Sequence, residues 1–242
     1  MTVPIIAICN HKGGSGKTTS AWHLAHALEA ATAGHLHRVL LVDLDDQATL
    51  TNRLAHQAVT IRSPIETQPT IDDALDGAPT TVYPYTPLLS YIPADHRLAW
   101  VAAKMQASSP NHLFLARALR HIEPFDYVIL DCPPSAGIIM INALAACTHT
   151  VIPVTPTEES WDGRQRMQNM IDEIANVLNK QITSLGAILT MRSPRSKTQD
   201  YYEALNAQAG LLGAVPHAVG LDADQRIYAA YEPIAQRIAQ SL

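Results

Sequence analysis

Apolar runs of strand length alternate with helical patterns along most of this chain. Almost every position in each run is apolar, which is typical of strands buried on both faces. The predicted strands span residues 4–9, 38–43, 88–92, 127–131, 150–154, 185–190 and 213–216. Helices are predicted near residues 17–31, 47–55, 111–122, 138–147, 161–180 and 200–209. This alternation predicts a doubly wound α/β fold, with helices covering both faces of a mostly parallel sheet.

Residues 60–110 depart from this alternation, because prolines interrupt short patterns such as residues 70–75. We predict that this segment is an irregular surface excursion rather than a linker. The chain has 242 residues, of which 47% are apolar and 16% charged, and this composition suits one well-filled core. We therefore predict a single domain over residues 1–242.

Composition also narrows the class of protein. The longest apolar stretches fall short of the roughly 20 residues that cross a bilayer, and residues 1–4 lead straight into a strand, which favours a cytoplasmic protein. The three cysteines lack a Cys-Xaa-Xaa-Cys spacing, which favours buried reduced thiols over a metal or redox site. The formal net charge of −5 excludes a globally basic nucleic-acid binder. Residues 174–199 contain no acidic residue, so this window is the one able to present a local positive patch.

A glycine-rich segment, Asn-His-Lys-Gly-Gly-Ser-Gly-Lys-Thr-Thr over residues 10–19, joins the first predicted strand to the first predicted helix. Backbone N–H groups in such a turn bind an anion at a helix N-terminus, which predicts a nucleotide phosphate site. The predicted binding residues are Lys12, Gly13, Gly14, Ser15, Gly16, Lys17, Thr18 and Thr19. Lys12 stands where the usual pattern has glycine, and it is too close in sequence to Lys17 for both to serve one phosphate from one side. We therefore predict that Lys12 acts across a dimer interface.

Acidic residues follow two of the predicted strands. Asp43 and Asp45 come at the end of the second strand, and Asp131 ends the strand over residues 127–131 before Cys-Pro-Pro. Alternation along a strand predicts that Asp43 and Asp45 point the same way. Parallel sheets bind ligands at the carboxyl ends of their strands, so these carboxylates are expected beside the phosphates.

The sequence Lys-Gly-Gly-Xaa-Gly-Lys-Thr-Thr is identified as the deviant Walker A motif of the ParA/MinD ATPases. The chain also resembles this family in Asp-Xaa-Asp after the second strand and in the Asp-Cys-Pro-Pro segment, and the resemblance extends over essentially its full length. Asp46 departs from the family pattern, in which proline usually stands at that position. The resemblance implies a fold of the P-loop NTPase type that binds ATP and Mg²⁺.

The resemblance also implies a role for each residue of the site. Lys17 is expected on the β- and γ-phosphates, Thr19 near the α-phosphate, and Asp45 on the attacking water. The implied catalytic residues are Lys12, Lys17 and Asp45, and the implied Mg²⁺ residues are Thr18, Asp43 and Asp131. Adenine is expected to rest near Met191 and Pro216, because the strands that end there lie beside the base in the related fold.

By this resemblance the chain is an ATPase that dimerises on ATP and positions or segregates plasmid or chromosomal DNA. It is expected to bind non-specific DNA on the nucleoid, in the cytoplasm, and to hydrolyse ATP faster with a ParB-like or other adaptor protein. The candidate DNA contacts are Lys180, Arg192, Arg195, Lys197 and Arg226. Arg195 aligns with a DNA-contacting arginine of the family, whereas His217 and Gly220 lie where relatives often carry arginines.

Three other functions stay open. The same ATPase is suited to positioning a protein cargo over the nucleoid. A membrane-cycling ATPase of the MinD kind requires a basic amphipathic C-terminal helix, but residues 233–242 carry only Arg237, so we expect them to pack on the sheet. A metal-cluster ATPase needs a cysteine shared across the dimer, which Cys132 and Cys147 do not supply.

The phosphate loop begins at residue 12, which leaves no room for an N-terminal DNA-reading domain, so we do not expect operator-specific autoregulation.

Overall fold

The computed structural model describes residues 3–30, 36–57, 68–109, 112–192, 196–207, 210–220 and 222–242. Its described strands are β1 (Ile5–Ile8), β2 (Val39–Asp43), β3 (Tyr83–Pro84), β4 (Leu89–Ile92), β5 (Tyr127–Asp131), β6 (His149–Val154), β7 (Thr183–Arg192) and β8 (Leu211–Pro216). They form one sheet in the order β3-β4-β2-β5-β1-β6-β7-β8. Every neighbouring pair is parallel except β3 and β4, which are antiparallel.

Helices cover both faces of this sheet. The described helices are α1 (Lys17–Glu29), α2 (Thr49–Gln57), α3 (Ile71–Leu75), α4 (Leu98–Gln106), α5 (Phe114–Ala118), α6 (Ile138–Ala146), α7 (Glu158–Val177), α8 (Ser196–Ala207) and α9 (Ala223–Ser241). Buried side chains of α3 to α8 share one apolar core, and those of α1, α2 and α9 share the core on the opposite face. The doubly wound α/β fold predicted from the sequence is therefore confirmed. Within the described residues, no helix is both long and apolar enough to span a bilayer.

The segment over residues 60–110 differs from the irregular surface excursion that its prolines suggested. Its described part contributes β3, β4, α3 and α4, and Ile71, Leu98 and Met105 are buried against the sheet. The Thr70 hydroxyl and the Asp73 carboxylate form a capping box at the start of α3, which stabilises a helix of only five residues. The strand predicted over residues 88–92 is β4, whereas β3 and α3 are too short to show a periodicity in the sequence. Residues 58–67 lie outside the described part of the chain.

The long helix α9 packs on α1 and β8. Its buried residues Tyr231, Ile234 and Ile238 lie on one face, and the hydroxyl groups of Tyr231 and Ser20 in α1 are hydrogen-bonded at 2.7 Å. A Cβ atom at Gly213 in β8 would lie 2.6 Å from Cγ1 of Ile234, so glycine is required for this close approach. The C-terminal segment therefore packs on the fold, as we predicted.

The imidazole of His23 is buried between α1 and α9. It is 3% exposed and stacks on Tyr231, with the ring centroids 5.5 Å apart. Burial, followed by the nearby guanidinium of Arg53, lowers the pKa of His23 to about 4, against the opposing effect of the Asp224 carboxylate. His26, the other histidine of this cluster, also has a pKa lowered by burial. The folded protein therefore keeps His23 neutral at pH values where an unfolded chain would protonate it.

This burial predicts an acid-sensitive stability. Between pH 6.5 and about 4 the unfolded state binds a proton that folded His23 does not, so the free energy of unfolding should fall by up to about 1.4 kcal/mol per pH unit from this group. His23→Phe keeps an aromatic ring against Tyr231. It should reduce the slope of the free energy of unfolding against pH by the contribution of one bound proton. Urea denaturation across this pH range measures the slope. His96→Phe, at an exposed position, is the matched control, and an unchanged slope in His23→Phe contradicts the assignment.

Candidate functional site

The phosphate loop connects β1 to α1 at the carboxyl edge of the sheet. Gly14 and Gly16 have φ values of 71° and 87°, in the left-handed region that glycine adopts without strain. Gly16 caps α1, and no described side chain caps that helix end, so the first N–H groups of α1 stay available to a ligand. This arrangement suits an anion and in particular a phosphate.

Thr190 at the end of β7 holds the loop in place. Its hydroxyl lies 2.9 Å from the carbonyl of Ser15 and 3.1 Å from that of Val154, and a Cβ atom at Gly16 would lie 3.1 Å from its methyl group. Both Thr190 and Ser15 are buried. The loop is therefore anchored on the β6 and β7 side of the sheet.

Lys17 is the first residue of α1, and its ammonium points back into the loop. Nζ donates to the carbonyl oxygen of Lys12 at 3.2 Å, and the residue is only 7% exposed. Burial lowers the pKa of Lys17, whereas the negative charge of Asp131 raises it. The ammonium is thus positioned inside the loop, as expected for a lysine that binds phosphate.

The carboxylate of Asp131 is the main electrostatic anomaly of the site. The residue is 0% exposed, and neither of its oxygens has a hydrogen-bond partner among the described residues. Burial raises the pKa of Asp131 well above its usual value, and the charge of Asp43 adds to this, while Thr18 and Lys17 oppose it. A buried carboxylate without a partner is unfavourable unless a cation neutralises it. Asp131 and Thr18 therefore fit Mg²⁺, whose remaining ligands are usually phosphates and water.

Asp43 lies beside Asp131 in the register of β2 and β5, but its oxygens are occupied. Oδ1 accepts the N–H of Asp45 at 3.1 Å, and Oδ2 accepts the N–H and the hydroxyl of Thr51 in α2 at 2.9 and 2.7 Å. Burial raises the pKa of Asp43 to about 6 despite these bonds. Asp43 thus anchors α2, and its charge raises the pKa of Asp131.

Asp45 lies past the end of β2, in a turn closed by a hydrogen bond from Ala48 N–H to its carbonyl at 2.9 Å. Its Oδ1 accepts the N–H of Gln47, and burial raises its pKa. Ala48 has a φ of 50°, uncommon for a residue other than glycine. Asp45 is partly exposed, whereas Asp43 is buried, so the two carboxylates differ in their access to a ligand.

Lys12 does not point into its own phosphate loop. Its Nζ lies 2.9 Å from the hydroxyl of Thr157 and 2.9 Å from Oε2 of Glu159, at the N-terminus of α7. The Lys12 side chain is 28% exposed, and that of Glu159 is 82% exposed. The hydrogen bond from Lys12 lowers the pKa of Glu159. This ion pair is near the surface, so it contributes little to stability and opens easily.

Met191 and Pro216, the expected adenine contacts, lie at the carboxyl ends of β7 and β8. Arg192 is paired with Pro216 in the register, which shifts between Leu189 and Arg192. Met191 has a φ of 54° and is 44% exposed. The bulge thus leaves this apolar side chain open at the edge where the phosphate loop lies.

The described basic residues of the predicted DNA surface differ in their surroundings. Nζ of Lys180 donates to the carbonyl of Ala145 at 2.6 Å and to that of Cys147, so it caps the C-terminus of α6. Arg192 is exposed and lies over the ring of Tyr202, 4.5 Å from its centroid. Arg226 is exposed at the start of α9. Arg195 and the side chain of Lys197 lie outside the described part of the chain.

Similarity to known proteins decides the family. A family model described as an AAA domain matches residues 3–184. The sporulation initiation inhibitor protein Soj of Bacillus subtilis (strain 168) is 35% identical over 195 residues, which cover 79% of this chain and 74% of Soj. The chromosome partitioning protein ParA of Caulobacter vibrioides (strain NA1000 / CB15N) is 32% identical over 203 residues, covering 81% and 72%. This chain belongs to the ParA family of partition ATPases.

Solved structures agree with this membership. One is the structure of cobyrinic acid a,c-diamide synthase from Mycobacterium smegmatis with a bound ATP analog and magnesium. The match covers 99% of this ParA-family chain and 95% of the synthase chain, with a TM-score of 0.83 and 26% identity. A plasmid partition protein from Borrelia burgdorferi has a TM-score of 0.85 over 100% of both chains, and at 22% identity it shows the same fold.

Sequence reasoning missed several residues that shape the site. Glu159 and Thr157 hold Lys12, Thr190 anchors the loop, and Thr51 binds Asp43. Threonine and glutamate are common on protein surfaces, so their types carry no signal. The position of Thr190, at the carboxyl end of a strand in a parallel sheet, was the one available pointer.

The two neighbouring aspartates should respond in opposite ways to the same substitution. Asp131→Asn removes a buried carboxyl group that has no hydrogen-bond partner among the described residues, and it should raise the free energy of unfolding of the nucleotide-free protein by about 1 kcal/mol or more. Because the folded pKa is raised, this gain should grow as pH rises above the ordinary aspartate value, where the unfolded wild-type chain releases a proton that folded Asp131 retains. Asp43→Asn, the matched control, disrupts three hydrogen bonds and should lower stability by about 1–3 kcal/mol.

Urea denaturation without nucleotide gives both values, and repeating it with ATP and Mg²⁺ tests the metal assignment. ATP should stabilise the wild-type protein more when Mg²⁺ is present, and Asp131→Asn should lose most of this additional stabilisation. A loss of stability in nucleotide-free Asp131→Asn is incompatible with an unpaired charge at this position.

Proposed function

We propose that this chain is an Mg²⁺-dependent ATPase that dimerises on ATP, binds non-specific DNA in that state and thereby segregates plasmid or chromosomal DNA. The observation that supports this most is the unpartnered Asp131 carboxylate beside Thr18 and Lys17, because it fits a metal-bound nucleotide. Relatives named as partition proteins and a structural neighbour named with a bound ATP analog and magnesium support the same proposal. We propose that one domain over residues 1–242 carries these activities.

Dimerisation is proposed from the separation of the two lysines. Lys17 turns into the loop of its own chain, whereas the Lys12 ammonium lies outside that loop on α7. A partly exposed ion pair with Glu159 is weak enough to open when a stronger anion is offered. In our proposal that anion is the ATP of a second protomer, whose phosphates need an additional cation when two nucleotides face each other.

Hydrolysis is proposed to depend on Asp45. Its carboxylate is partly exposed near the phosphate loop, and burial raises its pKa, which makes it a better proton acceptor than an ordinary surface aspartate. Bound Mg²⁺ would neutralise charge on the phosphates. We propose that hydrolysis is slow until a ParB-like or other adaptor protein stimulates it. The rate of ATP hydrolysis would then set how long the protein stays bound to DNA in the cytoplasm.

The DNA surface is proposed around Arg192, Arg195 and Lys197, with Arg226 as a further candidate. Phosphate contacts of this kind give affinity without sequence preference. Lys180 is left out of this surface because its ammonium caps α6. The Met191 and Pro216 edge is proposed to hold adenine, which would bring the nucleotide close to Arg192.

A protein cargo positioned over the nucleoid is the second candidate function, because it would use the same nucleotide and DNA chemistry. A membrane-cycling function is disfavoured by α9. Its apolar residues Ile234 and Ile238 are at most 1% exposed, and Arg237 donates to the carbonyl of Leu212 at 2.7 Å, so this face is used inside the fold.

Substitution of the two lysines should separate nucleotide binding from dimerisation. Lys17→Ala should abolish ATP binding, because the buried phosphates lose their compensating cation. Lys12→Ala should bind ATP but stay monomeric. Both are compared in an Asp45→Ala background, which should slow turnover by roughly 100-fold or more by removing water positioning.

Calorimetry measures ATP affinity, and light scattering with and without ATP measures mass. A dimer that persists in Lys12→Ala would falsify the proposed role in trans. Single-turnover hydrolysis at the normal rate in Asp45→Ala would move the catalytic assignment to another residue.

Charge reversal at the basic loop should weaken DNA binding. Arg195→Glu is expected to lower affinity about equally for every duplex sequence and to make the salt dependence shallower by about 0.9 in log-log slope for each DNA phosphate that the protein no longer neutralises. Fluorescence anisotropy with random duplex DNA and the ATP-bound protein dimer measures both the affinity and its salt dependence. Arg120→Glu makes the same charge change at an exposed arginine between α5 and β5 and should have little effect. If the wild-type dimer does not bind DNA even at about 50 mM salt, the DNA part of the proposal is wrong.

A further inference from the structure

Asn10, the residue between β1 and the phosphate loop, is completely buried and joins three parts of the site. Its Nδ2 donates to the carbonyl of Pro153 in β6 at 2.6 Å. Its Oδ1 accepts the backbone N–H of Lys12 at 3.1 Å. The residue is 0% exposed, so these bonds replace all of its contacts with water. Asparagine supplies a donor and an acceptor from one planar group, which this position requires.

The bond to Pro153 continues the sheet past the end of β1. Ile8 is the last residue of β1 paired with β6, and the N–H of Cys9 donates to the carbonyl of Val151 at 3.1 Å. The next β6 carbonyl on that side is that of Pro153, and it receives the Asn10 side chain instead of a backbone N–H. The chain can therefore leave the sheet and form the loop without leaving a buried carbonyl unpaired.

The peptide units on both sides of Lys12 are fixed as a result. Its N–H is held by Asn10, and its carbonyl accepts Nζ of Lys17 at 3.2 Å. The side chain then extends from this anchored backbone towards α7. The direction in which Lys12 leaves the loop is set by Asn10, whereas Lys17 has its own anchor in α1.

Gly163 places α7 against the same amide. A Cβ atom at Gly163 would lie 3.2 Å from Oδ1 of Asn10 and 4.0 Å from Cβ of Lys12. Glycine within a helix is unfavourable relative to alanine, so its place inside this 20-residue helix is explained by the close contact with Asn10. Asn10 cannot move aside easily, because both of its hydrogen bonds would break.

We propose that Asn10, seated against Gly163, is a positioning residue that aims Lys12 out of its own loop towards the nucleotide of a second protomer. Asn10 acts through Lys12 and touches neither phosphate nor metal. Loss of its amide should therefore impair ATP-dependent dimerisation far more than ATP binding by one chain. This inference rests on the proposed role of Lys12 in trans.

The test uses the full chain in the Asp45→Ala background. Asn10→Ala should keep ATP affinity within about threefold by calorimetry and raise the dimer dissociation constant with ATP by at least tenfold, the energetic equivalent of a misplaced charge contact. Gly163→Ala should do the same, but with a melting temperature closer to that of the parent than Asn10→Ala has, because alanine favours the helix while its Cβ presses on Asn10. A general loss of structure would instead lower ATP affinity, dimerisation and melting temperature together.

Two controls match these variants. Asn142→Ala removes another buried asparagine, which bonds the N–H of Phe114 and the carbonyl of Ile138 away from the loop, and it should keep ATP-dependent dimerisation. Asn169→Ala makes a change on the exposed face of α7 and should also leave dimerisation intact.

The outcomes separate this inference from the function on which it rests. If the Asp45→Ala parent dimerises and Lys12→Ala does not, but Asn10→Ala and Gly163→Ala dimerise like the parent, only the role of Asn10 is overturned. Equal losses of ATP affinity and dimerisation in Asn10→Ala also overturn it. If the parent itself does not dimerise with ATP, the proposed function fails and this inference fails with it.

Discussion

Two buried carboxylates, Asp43 and Asp131, lie side by side at the carboxyl ends of β2 and β5. Their pKa values are both raised, mainly by burial, and Asp131 has no hydrogen-bond partner among the described residues. Such a pair is unfavourable in an apolar interior without a compensating cation. The phosphate loop, Lys17 and Thr18 are arranged around this negative charge, so the electrostatics of the protein chain itself favour a metal and a nucleotide together.

The site is also tied to distant parts of the chain by a few buried hydrogen bonds. The Thr51 hydroxyl donates to Asp43 and accepts the N–H of Ala94, which links β2, α2 and the segment after β4. Thr190 provides a comparable link from β7 to the phosphate loop. Because each partner is buried, these bonds tie the phosphate loop and Asp43 to β7, α2 and the segment after β4.

The fold was largely predictable because parallel strands buried on both faces produce long apolar runs. The elements missed are β3, α3, α4 and the first half of α9. The first two are very short, α4 lies in the proline-rich segment, and α9 contains Pro233, so their stability comes from packing rather than from a readable periodicity. The identity of the phosphate and acidic residues was readable for a different reason, since their order along the chain is set by the strand ends. Lys180 shows the limit of that approach: its carbonyl partners lie 33 and 35 residues away, and a charge window cannot reveal a helix cap.

The packing of α9 on α1 makes folding of the site depend on residues made far apart in time. The apolar face of α1 includes Trp22 and Leu28, and part of its cover is Tyr231 and Ile234 of a helix that begins almost two hundred residues later. At roughly 5–20 residues per second of synthesis, that cover arrives about 10–40 s after α1 has been made. During this interval the growing chain exposes an apolar face of the phosphate-loop helix that α9 later covers, so the site reaches its final packing only after the last helix has been made.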